Sequence, residues 1–261
     1  MNIFDELSII LPTLNERKNL EYLIPEIIEK LETERIINYE IIVVDDNSTD
    51  GTIELINKFL NKKFNVRLIE NKPALNLPLS IKKGIENSNF KFVMWLDADG
   101  SMGSISVQKL IKEIKLNPDT VIVGSRFVSG GGYKGQREDN SENIYRTIKR
   151  ILNSEDSVLA VYLSKLFNSL LKIILHSNVK DITSGFIVGK KDYFNHKSFT
   201  DSVYGEYFIK VISHLEKNNV KIKEVGYFCT PRIYGESKTS SSYFRLFKLS
   251  LPYIKAALNY K

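Results

Sequence analysis

Glu40-Ile41-Ile42-Val43-Val44-Asp45-Asp46-Asn47-Ser48-Thr49-Asp50-Gly51-Thr52 is the stretch that decides the fold. Ile41 to Val44 are apolar and β-branched with no polar alternation, the mark of a strand covered on both faces. The run of acids, amide, hydroxyls and glycine marks its carboxyl end, and Thr49 to Leu60 then reads as a helix. The same unit recurs on either side. Leu7 to Leu11 reads as a strand halted by Pro12, and Asn19 to Glu32 as a helix. Val66 to Ile69 is a strand and Leu79 to Ser88 a helix. Phe90 to Leu96 is a strand, Ser104 to Leu116 a helix and Thr120 to Gly124 a strand. Strands alternating with helices predict an α/β domain with a mainly parallel sheet. Such a sheet binds ligands beyond its carboxyl edge, where the strand order reverses.

The second half is less regular. Val128 to Asn143 is rich in glycine and charge and reads as a loop. Ile144 to Leu175 reads as helix, interrupted near Asn153 to Asp156. A short strand at Phe186 to Val188, a helix at Val203 to Lys217 and a strand at Val220 to Tyr227 follow. Ser240 to Tyr260 is helical, with aromatic, leucine and lysine residues interleaved. Such a helix lies in a membrane interface or packs on the domain or on another subunit of a homo-oligomer.

The chain has 261 residues, 43% hydrophobic and 26% charged, an ordinary globular composition. Its single cysteine, Cys229, cannot form an internal disulfide, which points to a reducing, cytoplasmic setting. The net charge of +6 suits phosphorylated ligands, anionic lipid or nucleic acid, and equally a solvated lysine-rich surface. No apolar run is long enough to span a bilayer, and the N-terminus lacks the order of a signal peptide.

The chemistry concentrates at the strand ends. Asp97-Ala98-Asp99 follows Phe92-Val93-Met94-Trp95-Leu96 directly. Two carboxylates one residue apart repel unless a cation intervenes. Mg²⁺ or Mn²⁺ takes oxygen ligands, usually one or two carboxylates together with ligand phosphates. The alternative is that the two acids cap the next helix. Asp45 and Asp46 end the strand at Glu40 to Asp45, where an acid can accept hydrogen bonds from a base N–H or a ribose hydroxyl. Ser48 or Thr49 would cap the helix that follows. Leu11-Pro12-Thr13-Leu14-Asn15-Glu16 supplies a third polar strand end.

Taken in order, these segments resemble glycosyltransferase family two, inverting enzymes of the GT-A fold. Gly124-Ser125-Arg126-Phe127-Val128 with Gly130-Gly131-Gly132, Asp181-Ile182-Thr183-Ser184-Gly185-Phe186, and Arg232-Ile233-Tyr234-Gly235-Glu236-Ser237-Lys238 resemble the dolichol-phosphate (polyprenyl-phosphate) mannosyltransferase branch. The resemblance implies a Rossmann-like three-layer sandwich, with a catalytic domain over 1–238 and a C-terminal helical extension over 239–261. It implies that Pro12, Leu14, Glu16, Asp45 and Asp46 surround the nucleotide. Asp97 and Asp99 would hold Mg²⁺ or Mn²⁺ against the diphosphate. Arg126 and Arg232 would face phosphates of donor or acceptor, Lys238 would assist near the leaving group or the acceptor phosphate, and Glu206 matches an acidic position on the acceptor side. Two departures stand out: Leu14 replaces a usual aromatic, and Gly100-Ser101 replaces a leucine and glutamine. The segment from Tyr133 to about Val158 is longer than usual and carries Lys134, Arg137, Arg146, Lys149 and Arg150.

The expected reaction is an inverting displacement from a nucleotide sugar, GDP-mannose or a UDP-hexose, onto a polyprenyl or dolichyl phosphate at the inner face of the membrane. An anionic phosphate needs no general base. Transfer to a glycan hydroxyl, as in cell-envelope polysaccharide assembly, would need one, and Glu206 is the candidate. A non-catalytic nucleotide- or nucleic-acid-binding module would have no use for paired acids and would carry stacking aromatics among its basic residues. No nucleic-acid partner is therefore expected. His176, His196 and His214 lie outside the matched segments and read as structural or surface residues.

Overall fold

The computed structural model describes residues 4–61, 64–133, 158–194, 197–230, 234 and 243–260. Its strands are β1 (Glu6–Thr13), β2 (Asn38–Asp45), β3 (Val66–Glu70), β4 (Phe92–Trp95), β5 (Val121–Ser125), β6 (Ile187–Lys190) and β7 (Ile222–Gly226). Its helices are α1 (Arg17–Thr33), α2 (Thr52–Asn61), α3 (Leu77–Glu86), α4 (Ser104–Leu116), α5 (Val158–Leu175), α6 (Glu206–Lys217) and α7 (Tyr243–Asn259). The strands form one sheet in the order β3-β2-β1-β4-β6-β5-β7. The pairs β1–β2, β1–β4, β2–β3 and β5–β7 are parallel, and β6 is antiparallel to both its neighbours.

The unalternating strand sequences sort cleanly into two cores, because successive side chains leave opposite faces of a strand. Ile9, Leu11, Ile41, Val43, Met94 and Ile122 join α1, α2 and α4 on one face. Ile10, Ile42, Val44, Val93, Trp95 and Val123 join α3, α6 and α7 on the other. The result is the expected three-layer α/β sandwich. Gly84 lets α3 sit close on β1: a Cβ there would stand 2.4 Å from Ile10 Cγ2.

Strand order fixes the position of the site. The chain builds outward from β1 through β2 to β3, then returns to place β4 on the other side of β1. The reversal opens a crevice beyond the carboxyl ends of β1 and β4. Because β6 runs backwards, the residues that lead into it, Asp181 to Phe186, reach the same edge.

Two local expectations are corrected. Pro12 does not halt β1, which runs on to Thr13 in register with β2, Pro12 opposite Val44. Thr13 O accepts from Asp46 N on the β2 side, whereas Ile10 O accepts from Leu96 N on the β4 side. Pro12 therefore turns its missing N–H toward β4, where the pairing ends at Trp95, while β1 continues along β2 on its other side. Helix capping falls to Asp50, not to Ser48 or Thr49. Asp50 Oδ1 accepts from the N–H and hydroxyl of Thr52, at 3.0 and 2.6 Å, and its Oδ2 accepts from Arg17 N at 3.0 Å. One carboxylate thus serves the first turns of both α1 and α2.

α7 packs against α5 and α6. Ala256 and Ala257 are buried, and the Tyr253 and Phe167 rings meet at 6.0 Å. Among the described residues no helix is long and apolar enough to cross a membrane. The expected helix start at Ile144, its interruption near Asn153 to Asp156, His196, the basic residues Lys134 to Arg150, and Arg232 and Lys238 lie outside the described residues.

Candidate active site

The ends of β1 and β2 lie side by side, Thr13 opposite Asp45. Hydrogen bonds stitch their loops together. Asn15 N donates to Ser48 Oγ at 2.8 Å, and Asn15 Oδ1 accepts from Thr49 N at 2.8 Å. Asn15 takes a positive φ of 57°, which asparagine tolerates. Asp46 Oδ1 accepts from Leu75 N at 2.5 Å and Asn71 Nδ2 at 3.2 Å. Asp45 is fully buried. Its Oδ1 accepts from Ser48 N at 2.9 Å, while its Oδ2 has no hydrogen-bond partner among the described residues. A buried carboxylate oxygen in that state is costly unless a ligand donor completes it. Leu14, 40% exposed, offers an apolar surface beside these acids, and Pro12 and Glu16 are half-buried. The sequence-predicted nucleotide residues are thus brought together on two adjacent strand ends.

Asp97 and Asp99 follow β4 across the crevice. Asp97 is exposed and Asp99 is buried, with Asp99 Oδ1 accepting from Ser101 N at 2.9 Å. They do not cap α4. That helix begins at Ser104 after Gly103, which makes no side-chain cap bond. The capping alternative fails. Among the described residues no group of three or more His, Cys, Asp or Glu gathers as a metal cage. Two carboxylates completed by ligand phosphates need no such cage.

Arg126, at the end of β5, grips Asp181 in a fork. Nε donates to Oδ2 at 2.8 Å and Nη2 to Oδ1 at 2.7 Å, and Nη2 also donates to Thr183 Oγ1 at 3.1 Å. Burial works against the Arg126 charge. The fully buried Asp181 outweighs it and holds the guanidinium pKa well above its ordinary value. Asp181 N donates in turn to Glu224 Oε1 on β7 at 3.0 Å. The glycine-rich segment after Arg126 packs backbone against backbone: a Cβ on Gly226 would stand 2.3 Å from Ser129 O.

Glu206 opens α6 and is buried. Its Oε1 accepts from Val203 N at 2.7 Å and its Oε2 from Tyr204 N at 3.0 Å. Both carboxylate oxygens therefore organise the turn before the helix. Next to it, the Tyr207 hydroxyl accepts from Trp95 Nε1 at 3.0 Å, tying α6 to β4 just before Asp97. Burial, then the Asp97 charge, push the Tyr207 pKa well above its ordinary value, so the phenol stays neutral.

Arg232 and Lys238 lie outside the described residues, but their described neighbours are pinned to the site. Thr230 N donates to Ser101 O at 2.8 Å and Thr230 Oγ1 to Gly100 O at 3.1 Å. Tyr234 N donates to Asn19 Oδ1 at 3.0 Å, and Asn19 Nδ2 donates to Tyr234 O at 3.2 Å. Asn19 Nδ2 also donates to Glu16 Oε2 at 2.5 Å. Asn19, Asn71 and Tyr207 went unnoticed in sequence reasoning, because their partners are remote in the chain. A buried asparagine on the apolar face of α1 was the one available signal.

These strand ends define a class: an α/β fold with acids gathered at the switch point of its sheet, among the described residues. A family model described as glycosyl transferase family 2 matches residues 8–196. The chain belongs to that family. It is 36% identical over 126 residues to a dolichol-phosphate mannosyltransferase of Pyrococcus furiosus, covering 48% of this chain and 34% of that protein. The match thus spans about a third of the length of that relative. An uncharacterised protein of Methanocaldococcus jannaschii is 28% identical over 222 residues, covering 82% of this chain and 84% of that one. A dolichol-phosphate mannosyltransferase of Saccharomyces cerevisiae is 26% identical over 183 residues, covering 69% and 66%. Among solved structures, glucosyl-3-phosphoglycerate synthase of Mycobacterium tuberculosis with Mn²⁺, UDP and glucosyl-3-phosphoglycerate shares the fold, with a TM-score of 0.63 at 14% identity over 98% of this chain and 80% of that one.

Proposed function

We propose that the chain is an inverting hexosyltransferase that moves a sugar from GDP-mannose or a UDP-hexose to a polyprenyl or dolichyl phosphate at the inner face of a membrane. The observation that carries this is the charge of the crevice. Asp45, Asp46, Asp97 and Asp99 stand at the ends of β2 and β4, while Arg126 is already neutralised by Asp181. Acids so placed favour a diphosphate that arrives with a divalent cation. Asp97 and Asp99 would hold Mg²⁺ or Mn²⁺, and the ion, when bound, would neutralise the charge that builds on the departing nucleoside diphosphate.

The protein's own groups do the rest. Oδ2 of Asp45 and the carboxylate of Asp46 receive donors of the base and ribose, and Leu14 covers an apolar face. An oxygen of the acceptor phosphate attacks the anomeric carbon from the face opposite the nucleotide. The new carbon–oxygen bond forms as the bond to the diphosphate breaks, with inversion. The acceptor is already anionic, so no proton has to be removed. The state of Glu206 supports this acceptor over a glycan hydroxyl, since both its oxygens are occupied by backbone N–H groups. The dolichol-phosphate mannosyltransferase relatives point the same way.

Incubation with radiolabelled GDP-mannose or UDP-glucose and a polyprenyl phosphate, followed by organic extraction, tests the proposal. Label should enter the lipid phase only when Mg²⁺ or Mn²⁺ is supplied. Label confined to a water-soluble glycan would move the acceptor to a hydroxyl and contradict this reading.

A further inference from the structure

Helix α5 is apolar on the side that meets the protein and on the side that does not. Leu171 and Asn168 are buried, and Phe167, Ile174 and Leu175 pack on the core shared with α6. The opposite side carries Tyr162 at 65% exposure, Leu163 at 40%, Leu166 at 57%, Leu170 at 45% and Ile173 at 71%. Tyr162, Leu166, Leu170 and Ile173 follow one another at spacings of four, four and three, so they form one continuous stripe. A helix apolar all round has a second partner, and a contiguous exposed apolar patch marks where that partner sits.

The charges select the partner. From Val158 to Leu175 there is no Asp or Glu, and from Tyr243 to Asn259 there is none either. Lys165 on α5 and Lys255 on the adjoining α7 are exposed, as are the apolar Leu251 and Leu258 of α7. Apolar residues interspersed with lysines, with no acid inside either helix, match the interface of an anionic bilayer, into which a helix lies flat. The inner side of the same helix reaches the site. Asn168 Nδ2 donates to Thr183 Oγ1 at 3.0 Å, and that oxygen also accepts from Arg126 at 3.1 Å.

We infer that the outer stripe of α5 is the surface on which the protein rests on an anionic phospholipid bilayer. The inference deepens the proposed function and rests on it. A polyprenyl phosphate would keep its hydrocarbon in the bilayer beneath α5, while its headgroup rises toward the strand edge that bears Arg126.

Co-sedimentation of the full chain with vesicles of phosphatidylglycerol and phosphatidylcholine tests it, with phosphatidylcholine vesicles as the comparison. Neither donor nor polyprenyl phosphate is present, so the outcome is independent of the transfer assay. The wild type should partition to the anionic vesicles. The double variant Leu166→Glu/Leu170→Glu should lower partitioning by about tenfold or more, and Lys165→Glu should weaken it and reduce its salt dependence. Binding of a nucleoside diphosphate with Mn²⁺ should be unchanged in these variants, which shows that they fold. Equal partitioning of variant and wild type, or no binding to anionic vesicles, would overturn the inference. A wild-type dimer that the double variant splits, with no effect on vesicles, would assign the stripe to a second copy instead. Vesicle binding without any transfer activity would sink the functional reading alone.

Discussion

Asp181 receives Arg126 three times: the backbone N–H and Nε both reach Oδ2 at 2.8 Å, and Nη2 reaches Oδ1 at 2.7 Å. Asp181 is fully buried and the Arg126 side chain is 18% exposed, so each ion depends on the other for its solvation. Removing one partner leaves an uncompensated buried charge. Asp181→Ala should therefore cost about 3–5 kcal/mol of stability, read from the midpoint of urea denaturation. A loss under about 1 kcal/mol would show the pair to be solvated as a surface bridge is.

Asn19 bridges Glu16 and the backbone of Tyr234. Asn19→Ala removes these bonds from a buried position, at about 1–3 kcal/mol. Limited proteolysis should then cut faster near Tyr234. Asn19→Asp keeps an acceptor for Tyr234 N but sets a charge against Glu16, so it should weaken donor binding more than Asn19→Ala does. Equal donor affinity in the two variants would separate Glu16 from this bridge.

Glu206 serves the turn before α6. Glu206→Gln keeps one acceptor oxygen and should lower stability by about 1–2 kcal/mol while leaving the pH profile of turnover unchanged. Loss of a general base would instead reduce turnover by about 10²–10⁴-fold and remove the acidic limb of that profile.

Glu40 lies at the opposite end of the sheet from the site. Burial alone would raise its pKa. Donors from Asn89, Arg67 and Ser8 together outweigh burial and hold it below the ordinary 4.5. A depressed folded-state pKa gives stability that is fully present above the unfolded value and lost as pH falls through the folded one. Stability should thus decline on acidification below about pH 4.5. Glu40→Gln should flatten that acid limb in thermal melts recorded from pH 7 down to pH 3.

Much of this was legible in the sequence, for a physical reason. Ile41 to Val44 could only be a strand covered on both faces, and the acids after it could only lie at its carboxyl end. The same holds for Asp97 and Asp99 after Phe92 to Leu96. Remote pairing was not legible: no local pattern joins Arg126 to Asp181, or Asn19 to Tyr234, since folding alone brings those residues together. Pro12 misled because a strand has two hydrogen-bonding sides, and only the paired structure shows which one proline faces. The engagement of Glu206 was hidden likewise, each of its oxygens being held by an N–H group two or three residues before it.

The most direct test of the central claim is manganese binding followed by the paramagnetic resonance of the free ion, with a nucleoside diphosphate present. The wild type should bind one Mn²⁺ per chain together with the nucleotide, and Asp99→Ala should weaken that binding by about tenfold or more while the melting curve stays cooperative. Unchanged Mn²⁺ affinity in Asp99→Ala, or nucleotide bound equally well in chelator, would contradict it.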